Sequence, residues 1–260
     1  MPKPTATFDA ESVRKSWDDA ADIYAEGQRS GRDYYRYEFF GPAQLSTCGD
    51  VQGQRLLDVG CGNGYFSRAM AECGARVTGI DISPRMIEHS KQQEAEAPLG
   101  IEFRVLDAAT LPEDFRAQSF DIATSCLALQ DMPQIDKVFK GIRTVLRPGG
   151  RFVASITHPC TDTPFRRWQR DTAGSKQWLC VDRYFERGAF QYTWQEWGRE
   201  FTTEAMHAPL QDWFDWIIGA GFQLRSLQEP QPTLEALRSR PELHDAARVP
   251  YYLIFDLVRQ

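Results

Sequence analysis

The stretch Arg55-Leu56-Leu57-Asp58-Val59-Gly60-Cys61-Gly62-Asn63-Gly64-Tyr65 decides the fold. Its first five residues are a short apolar run of strand type, and the residues after Tyr65 have helical spacing. Between them glycine stands at every second position. Glycine adopts positive φ without penalty and carries no Cβ to keep a ligand off the backbone. A strand that enters a helix through such a turn reads as a ligand-binding loop at the carboxyl edge of an α/β sheet, or, taken alone, as a plain tight turn.

Working outward, strand candidates recur: 76–80, 101–106, 120–124 and 151–156. Helical stretches near 65–73, 84–96 and 135–146 lie between them, and the 107–118 link is shorter and less regular. Alternation of this kind means parallel pairing through crossovers. Two last strands, 222–227 and 251–258, follow a helix at 210–218 and read as a closing antiparallel pair. The prediction is an α/β chain with a Rossmann-like, doubly wound, mostly parallel seven-stranded sheet. It divides into an N-terminal helical cap (1–50), a core (51–158), an inserted lid (159–205) and a return to the core (206–260). The cap reads as two short helices broken near Gly31. Ten aromatic residues fall between Phe165 and Phe201, and a turn at Arg187-Gly188 separates two β-like runs, as expected of a hairpin lid.

Bulk properties exclude several classes. Hydrophobic residues make up 42% and charged residues 25%, the balance of a globular chain. A net charge of -6 repels phosphate backbones, so no nucleic-acid partner is expected. The first seven residues have no apolar run like that of a secretory leader, and no stretch is apolar enough to span a membrane. Six cysteines without a C-x-x-C pair point away from a metal site and from a disulfide framework, and so to the reducing cytoplasm. Nothing in the residues sets an oligomeric state.

Two acidic residues accompany the glycine loop. Asp81 ends the second strand, about 20 residues beyond the loop, where a carboxylate accepts hydrogen bonds from ribose hydroxyls. Asp107 ends the third and is placed to accept from an exocyclic adenine amine. Each alone also fits a helix cap. Asp58 to Gly64, Asp81-Ile82-Ser83 with Met86, Asp107-Ala108, Phe120 to Ala123, and Leu146-Arg147-Pro148-Gly149-Gly150 together resemble the ordered motifs of class I S-adenosylmethionine-dependent methyltransferases. The resemblance covers residues 50 to 160 closely. It implies S-adenosylmethionine as cofactor, with Asp58 among the residues that bind it, Gly60 and Gly62 at its methionine end, Asp81 on the ribose and Ile82 and Met86 flanking the adenine. It further implies Asp107 and Ala108 at the adenine edge, Ser125 to Leu127 along the transfer site, and Tyr24 or Trp17 as a cover.

A nicotinamide-dependent oxidoreductase shares the sheet, the loop and the acidic residue. Its G-x-G-x-x-G fingerprint needs a small third residue that packs helix on strand, and here that position is Tyr65. A non-catalytic nucleotide-binding module is the other alternative. For methyl transfer, an amine must be neutral, whereas a hydroxyl gains from a base. Three titratable groups are candidates: Asp131 after the fourth strand, His158 after the fifth and His207 where the lid returns. The bland readings are a helix cap, a fixed turn and an exposed strand end. The aromatic lid, and Ser125-Cys126-Leu127-Ala128 in place of the Asn/Asp-Pro-Pro-Tyr of enzymes methylating DNA-base amines, favour a small aromatic or heterocyclic acceptor at oxygen or nitrogen.

Overall fold

The computed structural model describes residues 3–31 and 33–260. Residues 1, 2 and 32 lie outside them, and with them the first two of the seven N-terminal residues and one residue of the expected cap. In chain order the elements are β1 (Lys3–Pro4), α1 (Ala10–Arg29), α2 (Gly41–Cys48), β2 (Arg55–Val59), α3 (Tyr65–Glu72), β3 (Arg76–Asp81), α4 (Pro84–Glu96), β4 (Glu102–Val105), α5 (Leu111–Asp114), β5 (Phe120–Cys126), α6 (Ile135–Val145) and β6 (Leu146–Thr157). There follow β7 (Arg166–Arg170), β8 (Lys176–Val181), β9 (Gly188–Glu196), β10 (Arg199–His207), α7 (Leu210–Gly219), β11 (Phe222–Gln228), α8 (Leu234–Ser239) and β12 (Tyr252–Arg259).

Seven strands form the main sheet in the order β11-β12-β6-β5-β2-β3-β4. β2 to β6 run parallel, while β12 pairs antiparallel with both β6 and β11. This is the α/β fold expected. The central strands are buried on both faces, which is why they read as apolar runs rather than alternating ones. One face packs on α6 and α7 through Val138, Phe139, Ile142, Trp213 and Ile217. The other packs Phe66, Met70 and Ile87 of α3 and α4, with Phe40 and Cys48 of the cap. The chain reverses direction across the sheet between β2 and β5, and open α/β sheets bind ligands at such a switch point.

Two features lie over that point. Asp9 and Ser12 form a capping box that starts α1. Farther along α1, Asp18 accepts from Ser83 Oγ (2.6 Å) and from the Arg85 amide (3.1 Å), which docks the helix on the start of α4. The lid region contains two hairpins, β7–β8 and β9–β10, where the sequence suggested one. Arg187-Gly188 links them. The second reversal falls at Trp197 (φ 53°) and Gly198 (φ 78°), because a two-residue hairpin needs positive φ at both positions. A tryptophan there is an unusual turn residue, and the reason is tertiary. Its indole lies on Gly27 of α1, where an added Cβ would come within 2.0 Å of the ring.

Candidate active site

The glycine loop is held open by its own backbone. The amides of Gly60 and Cys61 both donate to Ile80 O (2.9 Å each), and Gly62 N donates to Asp81 Oδ2 (2.8 Å). Gly60 (φ 71°) must be glycine, since a Cβ would meet Ala128 Cβ at 2.5 Å and Met132 Cε at 2.8 Å. Gly62 (φ 55°) faces open space instead. That space is a crevice floored by the loop and by Asp58, Asp81 and Ile82, and roofed by Val13, Trp17, Tyr24 and Gln28 of α1.

Three aspartates, all expected at the ligand, do different work. Asp58 is fully buried, and its two oxygens accept from Ser67 Oγ (2.6 Å) and Thr124 Oγ1 (2.9 Å). It borders the crevice but spends its hydrogen bonds tying α3 and β5 to β2. Burial pushes its carboxyl up to about 6. Asp81 accepts from Gly62 N and from Ser83 N (2.9 Å), one bond per oxygen. Burial likewise raises it, to about 6, against the pull of those amides. A carboxylate offers about four lone-pair positions, so roughly half of its capacity remains for a ligand. Asp107 accepts from Ala109 N (2.9 Å) and lines the far end of the crevice with Ala108, Met86 and Leu106.

At the end of β5, Leu127 (φ 54°) lines the crevice, its amide donating to Ser155 Oγ (3.1 Å). Positive φ at a branched residue is strain of the kind that collects at functional sites. Ser125 does not line the crevice, because alternate strand residues point to opposite faces. Its carbonyl accepts from Gln44 Nε2 (3.0 Å) on the cap side.

Of the three titratable candidates, the structure brings only Asp131 to the crevice. His158 is buried beyond it. Its Nδ1 accepts from Cys160 N (3.2 Å), which leaves the proton on Nε2, facing Glu229 Oε1 at 3.0 Å. His207, expected at an exposed strand end or facing the pocket, is buried with its Nε2 on Tyr184 O (2.9 Å). Both histidines are committed to turns at the sheet edge, and neither lines the crevice.

Sequence reasoning passed over Arg36. It lies in a π-helical turn, Arg36–Phe40, and its guanidinium donates to Asp33 Oδ2 (3.0 Å) and to Tyr24 Oη (2.6 Å) at the crevice wall. Its charge also lies 5.4 Å from the ring centre of Tyr65. The position that a dinucleotide fingerprint keeps small is thus filled by a ring turned toward the cap. Only the clustering of aromatics around Arg36 hinted at it, and that pattern also describes plain packing.

The chain can now be set against known proteins. A family profile described as a methyltransferase domain matches residues 57–154. A crystal structure of an S-adenosylmethionine-dependent methyltransferase from Mesorhizobium loti superimposes with a TM-score of 0.72 at 30% identity, covering 84% of this chain and 96% of that one. The chain belongs to the S-adenosylmethionine-dependent methyltransferase family. The ubiquinone biosynthesis O-methyltransferase of Xanthomonas euvesicatoria is 28% identical to it over 204 residues, 77% of each chain. The protein of that name from Coxiella burnetii is 36% identical over 105 residues, which are 40% of this chain and 44% of that one. This methyltransferase therefore uses S-adenosylmethionine, and its crevice fits that cofactor. Glycine backbone borders open space, the half-buried Asp81 carboxylate keeps lone pairs free, and the buried Arg36 guanidinium stands at the same wall.

Proposed function

We propose that this methyltransferase transfers a methyl group to an oxygen or nitrogen of a small, planar metabolite. The observation that carries the reading is the crevice itself, at the switch point of the sheet, with bare glycine backbone below and aromatic side chains above. When bound, the cofactor supplies an activated methyl on sulfur, so the protein's task is alignment to within about 3–3.5 Å and exclusion of water.

Asp81 holds the ribose hydroxyls with the lone pairs left by Gly62 and Ser83. Ile82 and Met86 flank the adenine, and Asp107 with Ala108 meets its edge. Gly60 and Gly62 admit the amino-acid part, whose carboxylate is matched by Arg36. Leu127 borders the transfer site, with Trp17 and Tyr24 as the cover. Asp58 and Ser125 act at one remove: the first ties α3 and β5 to β2, and the second anchors β5 on Gln44.

The name of the Xanthomonas relative supports an oxygen acceptor. The acidic net charge of -6 supports a small molecule over nucleic acid. Among the described residues no helix is long and apolar enough to cross a membrane, and all six cysteines are free, which supports a cytoplasmic site of action. The test is to incubate the protein with methyl-labelled S-adenosylmethionine and a bacterial metabolite extract. A labelled product of metabolite size is expected. Label found only in macromolecules, or none at all, would overturn the reading.

A further inference from the structure

Asp131 ends the single 3-10 turn, Leu129–Asp131, that follows β5, and it lines the crevice. Its amide donates to Ala128 O (3.0 Å), but among the described residues no group donates to its carboxyl. Nor does it cap the next helix: the N-cap residue of α6 is Gln134, and no side chain caps it. A carboxyl that serves neither a cap nor an ion pair, and that points into a binding crevice, is available to a ligand.

Its surroundings define what it can do. The titratable groups within its field are Asp81 from β3, Tyr24 from α1 and Tyr192 from β9. β10 and β6 also pack against the turn, but their ionisable groups are turned elsewhere: Glu204 to Thr5, His207 to Tyr184 O and His158 to Glu229. No cation faces it among these groups. Burial, helped by the charge of Asp81, holds the carboxyl well above the ordinary carboxylate range. A carboxylate that takes up a proton more readily than an exposed one is the better proton acceptor.

We propose that Asp131 is the proton acceptor of the methyl transfer, and that the acceptor group it fits is a hydroxyl or ring N–H on a neutral planar ring. The inference rests on the methyl-transfer reading above. As the acceptor's oxygen or nitrogen forms its bond to the methyl carbon, the carbon–sulfur pair returns to sulfur, and the acceptor's proton passes to Asp131 Oδ. The products are the methyl ether or N-methyl compound, S-adenosylhomocysteine and protonated Asp131, which then loses its proton to water. An alkylammonium ion is a poor fit. It would pair with the carboxylate while its nitrogen had no electron pair to offer.

The test identifies the atom methylated in the labelled product and then compares Asp131→Asn and Asp131→Glu with the parent on that compound. The methyl is expected on a ring oxygen or ring nitrogen. In Asp131→Asn, kcat should fall about 100-fold or more, the acidic limb of its pH profile should vanish, and S-adenosylhomocysteine affinity by calorimetry should stay within about threefold. Asp131→Glu should keep the limb and part of the rate. A methyl on carbon or on an aliphatic amine overturns the inference. So does an unchanged rate and limb in Asp131→Asn, or an S-adenosylhomocysteine affinity that falls in step with kcat. If S-adenosylhomocysteine binds but no labelled product forms, the methyl-transfer reading has failed and this inference falls with it.

Discussion

The two walls of the crevice are built on different principles. The sheet wall is a hydrogen-bonded lattice: Asp58 to Ser67 and Thr124, Asp81 to the amides of Gly62 and Ser83, and Leu127 to Ser155. The roof is a chain of rings. Trp17 meets Tyr24 edge-on at 5.4 Å between centroids, Tyr24 meets Trp197 at 5.8 Å, and Trp197 stacks on Phe201 at 6.3 Å. Directional bonds fix a geometry to fractions of an ångström. Ring contacts, at about 0.5–1.5 kcal/mol each, hold an element in place yet let it lift. On that contrast we propose that the sheet wall sets which cofactor binds, whereas the roof sets how long it stays.

The hardest blow to the sheet wall is Asp81→Ala. It removes the proposed ribose acceptor and leaves the Gly62 amide unbonded, and S-adenosylhomocysteine affinity should fall well over tenfold, on the order of 2–4 kcal/mol. Unchanged affinity by calorimetry would refute the ribose assignment. The ionisation of Asp81 gives a second check. Hydroxyl donors favour its charged form, while burial holds the free group up to about 6. Affinity should therefore be full above pH 6 and weaken as pH drops below it, by at most about tenfold per unit for one proton. Asp81→Asn should flatten that dependence.

The roof is expected to respond more gently. Trp197→Ala removes the ring that sits on Gly27 and meets Tyr24, without touching the sheet. Release of S-adenosylhomocysteine in stopped flow should quicken about three- to tenfold, with association little changed, because most affinity changes at one interface appear in dissociation. A slowed association with unchanged release would contradict the division between the walls.

The same division governs what could be read before any coordinates. The sheet wall was legible because its residues obey local rules: glycines where φ turns positive, an aspartate at the end of β3 and just after β4, apolar runs where both faces are buried. Asp81, Asp107 and the loop could be picked out on that basis. The roof was not, because its residues answer to partners far along the chain. Gly27 reads as a weak point in a helix until Trp197, 170 positions later, is seen lying on it. Arg36 reads as one more charge beside aromatics until Tyr24 and Asp33 fix its guanidinium. His158 shows the converse error. Strand-end placement alone brought it to the pocket, but a residue can end a strand and still point to the sheet edge, and periodicity does not say which.

His158 also supplies the smallest expected effect. If the histidine only fixes a turn, His158→Gln should leave kcat within about threefold, while losing its hydrogen bonds costs the fold about 1–2 kcal/mol. Burial lowers the folded-state pKa of this imidazole below its ordinary 6.5. The unfolded chain then takes up the proton first as pH falls, so the parent should lose stability progressively below pH 6.5. The glutamine variant lacks that proton and should be less acid-sensitive, the gap in melting temperature between the two narrowing from pH 7.5 to 5.5. A variant that instead keeps the parent's melting temperature and loses turnover by a factor of 100 or more would move the proton acceptor from the crevice wall to the sheet edge, and the division between the walls would have to be redrawn.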